Sequence, residues 1–192
     1  MQAEARKGCA GTRGVNLSFL SRILGSGRSD RTRMLPLYRA IVAIGRDPAW
    51  YRAGQVPDTI DGRFDVIAAA MTLVLLRLER EEDREARAAT TLLTELFVDD
   101  MDGSLRQIGI GDLVVGKHMG RMMGALGGRL GAFREALGDE AAFRGAVRRN
   151  VFHEAPPSEE ALAFVGGRLQ RFHDALAASE ARALIEGKVP SL

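Results

Sequence analysis

The sequence predicts an all-α protein: a single-domain bundle of about six to seven helices over residues 31–192, preceded by a flexible basic arm over residues 1–30. Three observations carry this. Apolar residues recur three and four apart in one segment after another, and no apolar/polar alternation of strand length occurs. Ala, Leu, Gly and Arg dominate, and aromatics make up only 6%. Gly, Pro and cap-forming residues divide the chain into pieces of helical length.

Leu35, Leu37, Tyr38, Ile41, Val42 and Ile44 predict a first helix over about 31–45, ended by Pro48. Upstream, Asn16–Leu24 has the pattern of a short amphipathic helix able to rest on a membrane surface. Residues 47–60 read as a loop holding Trp50, Tyr51, Gly54 and Pro57. Asp58 is the expected N-cap of the second helix, over about 60–80, with Asp61 three residues on in a capping-box-like relation. That helix is apolar nearly all round from Phe64 to Leu78, which predicts a buried central position. After a solvated turn at Glu79–Arg87, a third long helix over about 84–107 carries Leu92, Leu93, Leu96, Phe97, Met101 and Leu105 on one stripe, and Gly109 and Gly111 stop it. A fourth, over about 111–137, carries Met119, Met122, Met123, Leu126, Leu130 and Phe133; Asp112 is a candidate cap and Gly138 ends it. Asp139 caps a fifth helix to about Phe152. Pro156 and Pro157 break the chain, Ser158 caps a sixth, and a short helix over about 179–186 closes the bundle.

The net charge of +2 hides an asymmetry. Residues 1–33 carry +5 and the rest −3, a basic arm before a mildly acidic body. Such an arm is either a solubilising tail or a contact for anionic lipid or RNA. The single cysteine, Cys9, forms no internal disulfide, and a reducing cytoplasmic compartment is expected. No secretory signal is visible. The longest apolar run, Val66–Leu78, falls short of the ~20 residues a membrane span requires.

Motifs for catalysis almost fit and then fail. Gly111-Asp-Leu-Val-Val-Gly116-Lys117-His118 resembles a phosphate-binding loop, but His118 stands where Ser or Thr must hold magnesium, and no strand precedes it. Asp99, Asp100 and Asp102 resemble half of the metal motif of helical prenyl-transfer enzymes, without the second acidic cluster. They read better as an exposed face pairing with Arg106. His118, His153 and His173 have no ligand partner at helical spacing. No catalytic residue, cofactor or metal is expected, and the chain is read as a non-enzyme.

The fourth helix carries one unusual feature. Gly116, Gly120, Gly124, Gly127, Gly128 and Gly131 fall within an arc of about 120° at roughly 100° per residue, beside the Met/Leu/Phe stripe. Each interior glycine costs about 1 kcal/mol against alanine. Three readings stay open: another helix of the domain packs closely on the bare backbone; the face is a shallow groove for a partner helix, with Met119, Met122 and Met123 as adaptable lining; or the helix breaks at a glycine.

Several segments together resemble the ubiquinol–cytochrome c chaperone family. They are Leu37-Tyr-Arg-Ala-Ile-Val42 with Arg46-Asp-Pro-Ala-Trp-Tyr51, then the distinctive Val56-Pro-Asp-Thr-Ile-Asp-Gly-Arg-Phe-Asp65. Leu96-Phe-Val-Asp-Asp-Met-Asp-Gly-Ser-Leu-Arg106 follows, running into Ile108–Val115 and Lys117, and last comes Gly128-Arg-Leu-Gly-Ala-Phe-Arg-Glu-Ala-Leu137. The resemblance covers about 35–150. Departures from the family pattern are Gly116 in place of proline, Ala125-Leu126-Gly127 in place of an aromatic-rich triplet, and Ala68, Ala69 and Ala70 in place of larger residues.

The resemblance implies a non-enzymatic assembly chaperone for the cytochrome bc1 complex (respiratory complex III). Its implied client is cytochrome b or another membrane protein, with a small partner protein and the ribosome as further contacts. A bacterial, cytoplasmic protein peripheral to the inner membrane fits, the arm meeting an anionic membrane surface or the ribosome; no DNA partner is expected. The alternatives are a lipid- or isoprenoid-handling protein with a tunnel along the second helix, and a generic helical adaptor. Candidate contact residues are Trp50, Tyr51, Asp58, Arg63, Phe64, Met101, Arg106, Met119, Met122, Met123, Gly120 and Gly124. Trp50 and Tyr51 either anchor a partner or pin their loop to the core. Arg63 and Arg106 are expected to bridge acids such as Asp65 and Asp102 inside the fold.

Overall fold

A computed structural model describes residues 17–107, 111–152 and 156–191, with side chains from residue 30 onward except 112 and 113. Among these residues eight helices follow one another: α1 (Leu17–Gly45), α2 (Ala49–Arg52), α3 (Ile60–Leu78), α4 (Arg84–Gln107), α5 (Asp112–Ala136), α6 (Glu140–Val151), α7 (Glu159–Ala177) and α8 (Ala181–Ile185). The fold is all-α. The expectations for Cys9 and the rest of residues 1–16, and for Ile108, Gly109 and His153, lie outside the described residues.

Helix α3 is the centre, because a helix apolar on every side must be surrounded. Phe64 through Leu76 and Leu78 are closed to water, Arg77 alone being partly open. The helix touches α1, α4, α5, α6 and α7. Ala68, Ala69 and Ala70 are fully buried, so their small side chains set how closely neighbours approach. Thr72 returns its hydroxyl to the Ala68 carbonyl at 2.7 Å, which satisfies the one hydroxyl buried there. Five helices enclose α3, and the larger clefts among the described residues have no lining from Val66–Leu75. The tunnel expected of the lipid-handling alternative is not what this helix forms.

The helix ends follow local chemistry. Asp139 Oδ1 accepts from the Ala142 N–H at 2.9 Å and Ser158 Oγ from the Ala161 N–H at 3.1 Å, starting α6 and α7 as expected. The start of α3 differs from expectation. Thr59 is the N-cap, its hydroxyl accepting from the Gly62 N–H at 3.0 Å. Asp58, one residue earlier, lies outside capping reach and pairs with Arg63 instead, at 2.7 Å. A Cβ at Gly62 would stand 2.0 Å from the Pro57 carbonyl oxygen, so only glycine lets the loop fold back over this first turn. Gly111 is the N-cap of α5, without a side-chain cap bond.

Helix α1 begins at Leu17 rather than near residue 31, and it absorbs most of the segment read as a short separate helix. Once residues 31–45 are packed, extending the helix backward adds a bond per residue without a new nucleus. Its junction with α4 is polar at the rim: Arg31 pairs with Asp99, Arg33 with Glu85, and the Tyr38 hydroxyl donates to Asp100 at 2.7 Å. Two of the basic residues counted with the arm are thus engaged within the bundle. Arg77 ties α3 to the end of α7, donating to the carbonyls of Leu176 at 3.1 Å and Ser179 at 2.8 Å.

Candidate functional site

The loop expected over 47–60 contains the four-residue helix α2, which is too short to leave a periodic signal. Trp50 on it is 0% exposed, donates its indole N–H to the Ile44 carbonyl at 2.7 Å, and lies under the Arg168 guanidinium, 4.5 Å from the ring centre. Arg168 also pairs with Asp47. The Asp47 carboxyl is held below its ordinary value, first by the Ala49 N–H and then by Arg168. Trp50 therefore pins the α1–α2 corner to α7 and offers no surface to a partner. Tyr51 is half-buried, donates to the Gly45 carbonyl, and has the Arg63 guanidinium 5.6 Å from its ring centre. Burial pushes its phenol up. Tyr51, Asp58 and Arg63 thus form one cluster at the start of α3.

Arg63, expected to bridge to acids such as Asp65 inside the fold, is turned outward to Asp58 instead. Arg106 does meet Asp102, at 2.7 Å, but on an exposed face of α4 and not inside the fold. Of the three acids of that stretch only Asp102 makes the expected pair with Arg106; Asp99 and Asp100 are taken up by Arg31 and Tyr38 of α1. Met101 is buried in the core.

Asp65 points inward from α3 and receives Arg129 Nη2 from α5 at 2.7 Å; the two side chains are 4% and 2% exposed. Arg129 Nη2 also donates to the Asn150 carbonyl at the end of α6, and its guanidinium lies 5.8 Å from the centre of the Phe64 ring. Phe64 in turn packs on Phe97 of α4, with ring centres 5.6 Å apart. One buried cation thus joins α3, α5 and α6. Burial lowers the Arg129 pKa and Asp65 opposes that shift. Sequence reasoning missed this residue as a site. The one available signal was its wheel position, about 220° from Gly116, at the border of the apolar stripe.

Beside this pair opens a cleft of about 290 Å³ between the start of α3, the end of α4, α5 and α6. Phe64, Leu105, Met122 and Ala125 supply its apolar lining, and Arg121, Arg149, Asp61 and His118 its polar one. The Arg121 guanidinium contacts the His118 ring at 2.6 Å. Of the expected site residues, Phe64 and Met122 meet here. Met119, Met122 and Met123 are half-buried against the core.

The glycine arc of α5 faces away from the bundle. Among the described residues, a Cβ added at Gly116, Gly120, Gly124, Gly127, Gly128 or Gly131 would meet nothing within 4 Å. The helix is unbroken from Asp112 to Ala136. The reading in which another helix of the domain packs on this face is therefore corrected. α5 turns its Met/Leu/Phe stripe to α3, α4 and α6, and that uses up the surface its neighbours need.

Comparison with known proteins gives this exposed face a context. Residues 52–191 match the family described as ubiquinol-cytochrome C chaperone. The chain belongs to that family. The match reaches well beyond residue 150, where the resemblance read from the residues ends. Among solved structures the chaperone is similar to the crystal structure of the Cbp3 homolog from Brucella abortus, with a TM-score of 0.73 and 29% identity over 92% of this chain and 96% of that one. No curated protein gives a significant match.

Proposed function

We propose that this chaperone serves assembly of the ubiquinol–cytochrome c reductase (bc1) complex by holding membrane segments of cytochrome b, or of a similar membrane protein, against α5. The single observation that carries the reading is the exposed glycine arc, with no atom of the described bundle within 4 Å of any added Cβ. Small-residue faces let helix backbones approach closely, the mode by which membrane helices associate. Met123 borders the arc, with Met119 next to it on the same side, and their flexible thioethers adapt to varied apolar side chains. The role requires surface and no aligned reactive groups.

No helix among the described residues is long and apolar enough to cross a membrane. Attachment to the inner membrane or the ribosome would then fall to the basic N-terminal stretch, the part proposed to act as an arm. A small partner protein has the Tyr51–Asp58–Arg63 cluster as a candidate contact. The test is gene deletion with a readout of bc1 complex and cytochrome b. Loss of both, restored by the intact gene, supports the reading. Normal levels remove it.

A further inference from the structure

Resting on the client-holding role just proposed, we infer that the cleft beside Asp65–Arg129 takes a single carboxylate, an acidic side chain of the client helix that lies on the α5 glycine arc. The first observation is Arg129. It is closed to water, and its Nε and Nη1 atoms have no hydrogen-bond acceptor among the described residues. Nη2 is used twice, by Asp65 and by the Asn150 carbonyl, so Nε and Nη1 are left as single charged donors on different sides of the guanidinium, each able to take one acceptor oxygen. Buried donors without an acceptor are few in native proteins and call for a partner from outside the described residues.

The second observation is charge. Arg121, Arg129 and Arg149 face Asp61 and Asp65 around the cleft, which leaves one positive charge over and matches one monoanion. The third is shape. At about 290 Å³ the cleft lies at the low end of ligand pockets, room for a side chain with its stem on Phe64 and Met122. The fourth is continuity. On α5 the cleft residues Arg121, Ala125 and Arg129 stand at about 140, 180 and 220° from Gly116, so that Arg121 adjoins the end of the glycine arc and the other two lead from it to the buried pair. A helix resting on the glycines thus brings a side chain over the cleft.

The probe is hexanoate, a carboxylate on an apolar stem, titrated into the full chain and followed by the arginine Nε–H NMR signals. Hexanol serves as the neutral control. Hexanoate should move the Arg129 signal where hexanol does not. Arg121→Gln and Arg149→Gln, both exposed, should each weaken binding about tenfold. Equal response to hexanol, no response, or unchanged binding in both variants overturns the inference. Tighter binding of dihexanoyl phosphatidylglycerol also overturns it, in favour of a lipid headgroup. In cells, the R121Q/R149Q double variant should restore bc1 levels poorly to a deletion strain. Full restoration by a double variant that no longer binds hexanoate defeats the carboxylate site and leaves the chaperone role standing. Hexanoate binding with normal bc1 levels in the deletion strain defeats the role and not the site.

Discussion

Arg129 and Asp65, 64 residues apart in sequence, meet at 2.7 Å with both side chains almost closed to water. Removing one member of such a pair strands the other. Asp65→Ala is expected to cost about 3–5 kcal/mol in chemical denaturation. Replacing both, as Asp65→Leu with Arg129→Met, should cost much less than the single change, because no buried charge is left alone. A double variant as unstable as the single one would show that the pair's geometry, and not its charge balance, matters.

Thr59, not Asp58, starts α3. Thr59→Ala should lower stability by about 1 kcal/mol, the usual worth of a side-chain cap. Asp58→Ala should change it little, because its exposed pair with Arg63 is screened by water. The reverse order in thermal melts would restore Asp58 as the cap.

Tyr38 gives a pH dependence. Burial first, and its hydrogen bond to Asp100 second, push its phenol above the ordinary value of 10.0. An acid whose pKa is raised on folding contributes stability that is fully present below the unfolded value and is lost as pH rises toward the folded one. Stability should therefore fall above about pH 10, and Tyr38→Phe should reduce that fall. Half-buried Tyr51 shares the direction, so some dependence remains in the variant. An identical alkaline profile in Tyr38→Phe would contradict this.

Gly120 and Gly124 separate stability from function. With open space where a Cβ would stand, Gly120→Ala and Gly124→Ala should each stabilise the isolated protein by about 1 kcal/mol. The same variants should support lower bc1 levels in cells, because the added methyls hold a client backbone off. Gains in both stability and bc1 level would mean that the glycines serve no client.

Helix bounds were legible where the chain carries its own punctuation: Asp139 and Ser158 cap what they were expected to cap, and α4 runs over the expected residues. Local chemistry decides those ends. The N-cap of α3 was misread because two cap-competent residues stand side by side and only backbone geometry chooses between them. Trp50 was left between two roles because an aromatic in a loop has the same sequence signature whether it anchors a partner or pins its own corner. The outward face of the α5 glycines and the Asp65–Arg129 pair depend on how helices distant in sequence are arranged. Periodicity assigns each helix an apolar side, and it does not say which neighbour, if any, covers the side opposite.

Site-specific photo-crosslinking tests the client surface most directly. A benzophenone amino acid replaces exposed Lys117, which stands between Gly124 and Gly128 on the α5 wheel, or, as a control on the far side of the bundle, exposed Arg171 on α7, in cells making the bc1 complex. The account predicts an adduct with cytochrome b, or with another membrane subunit of the complex, from position 117 and none from 171. Equal adducts from both positions, or none from 117 in cells where deletion abolishes the complex, would contradict it.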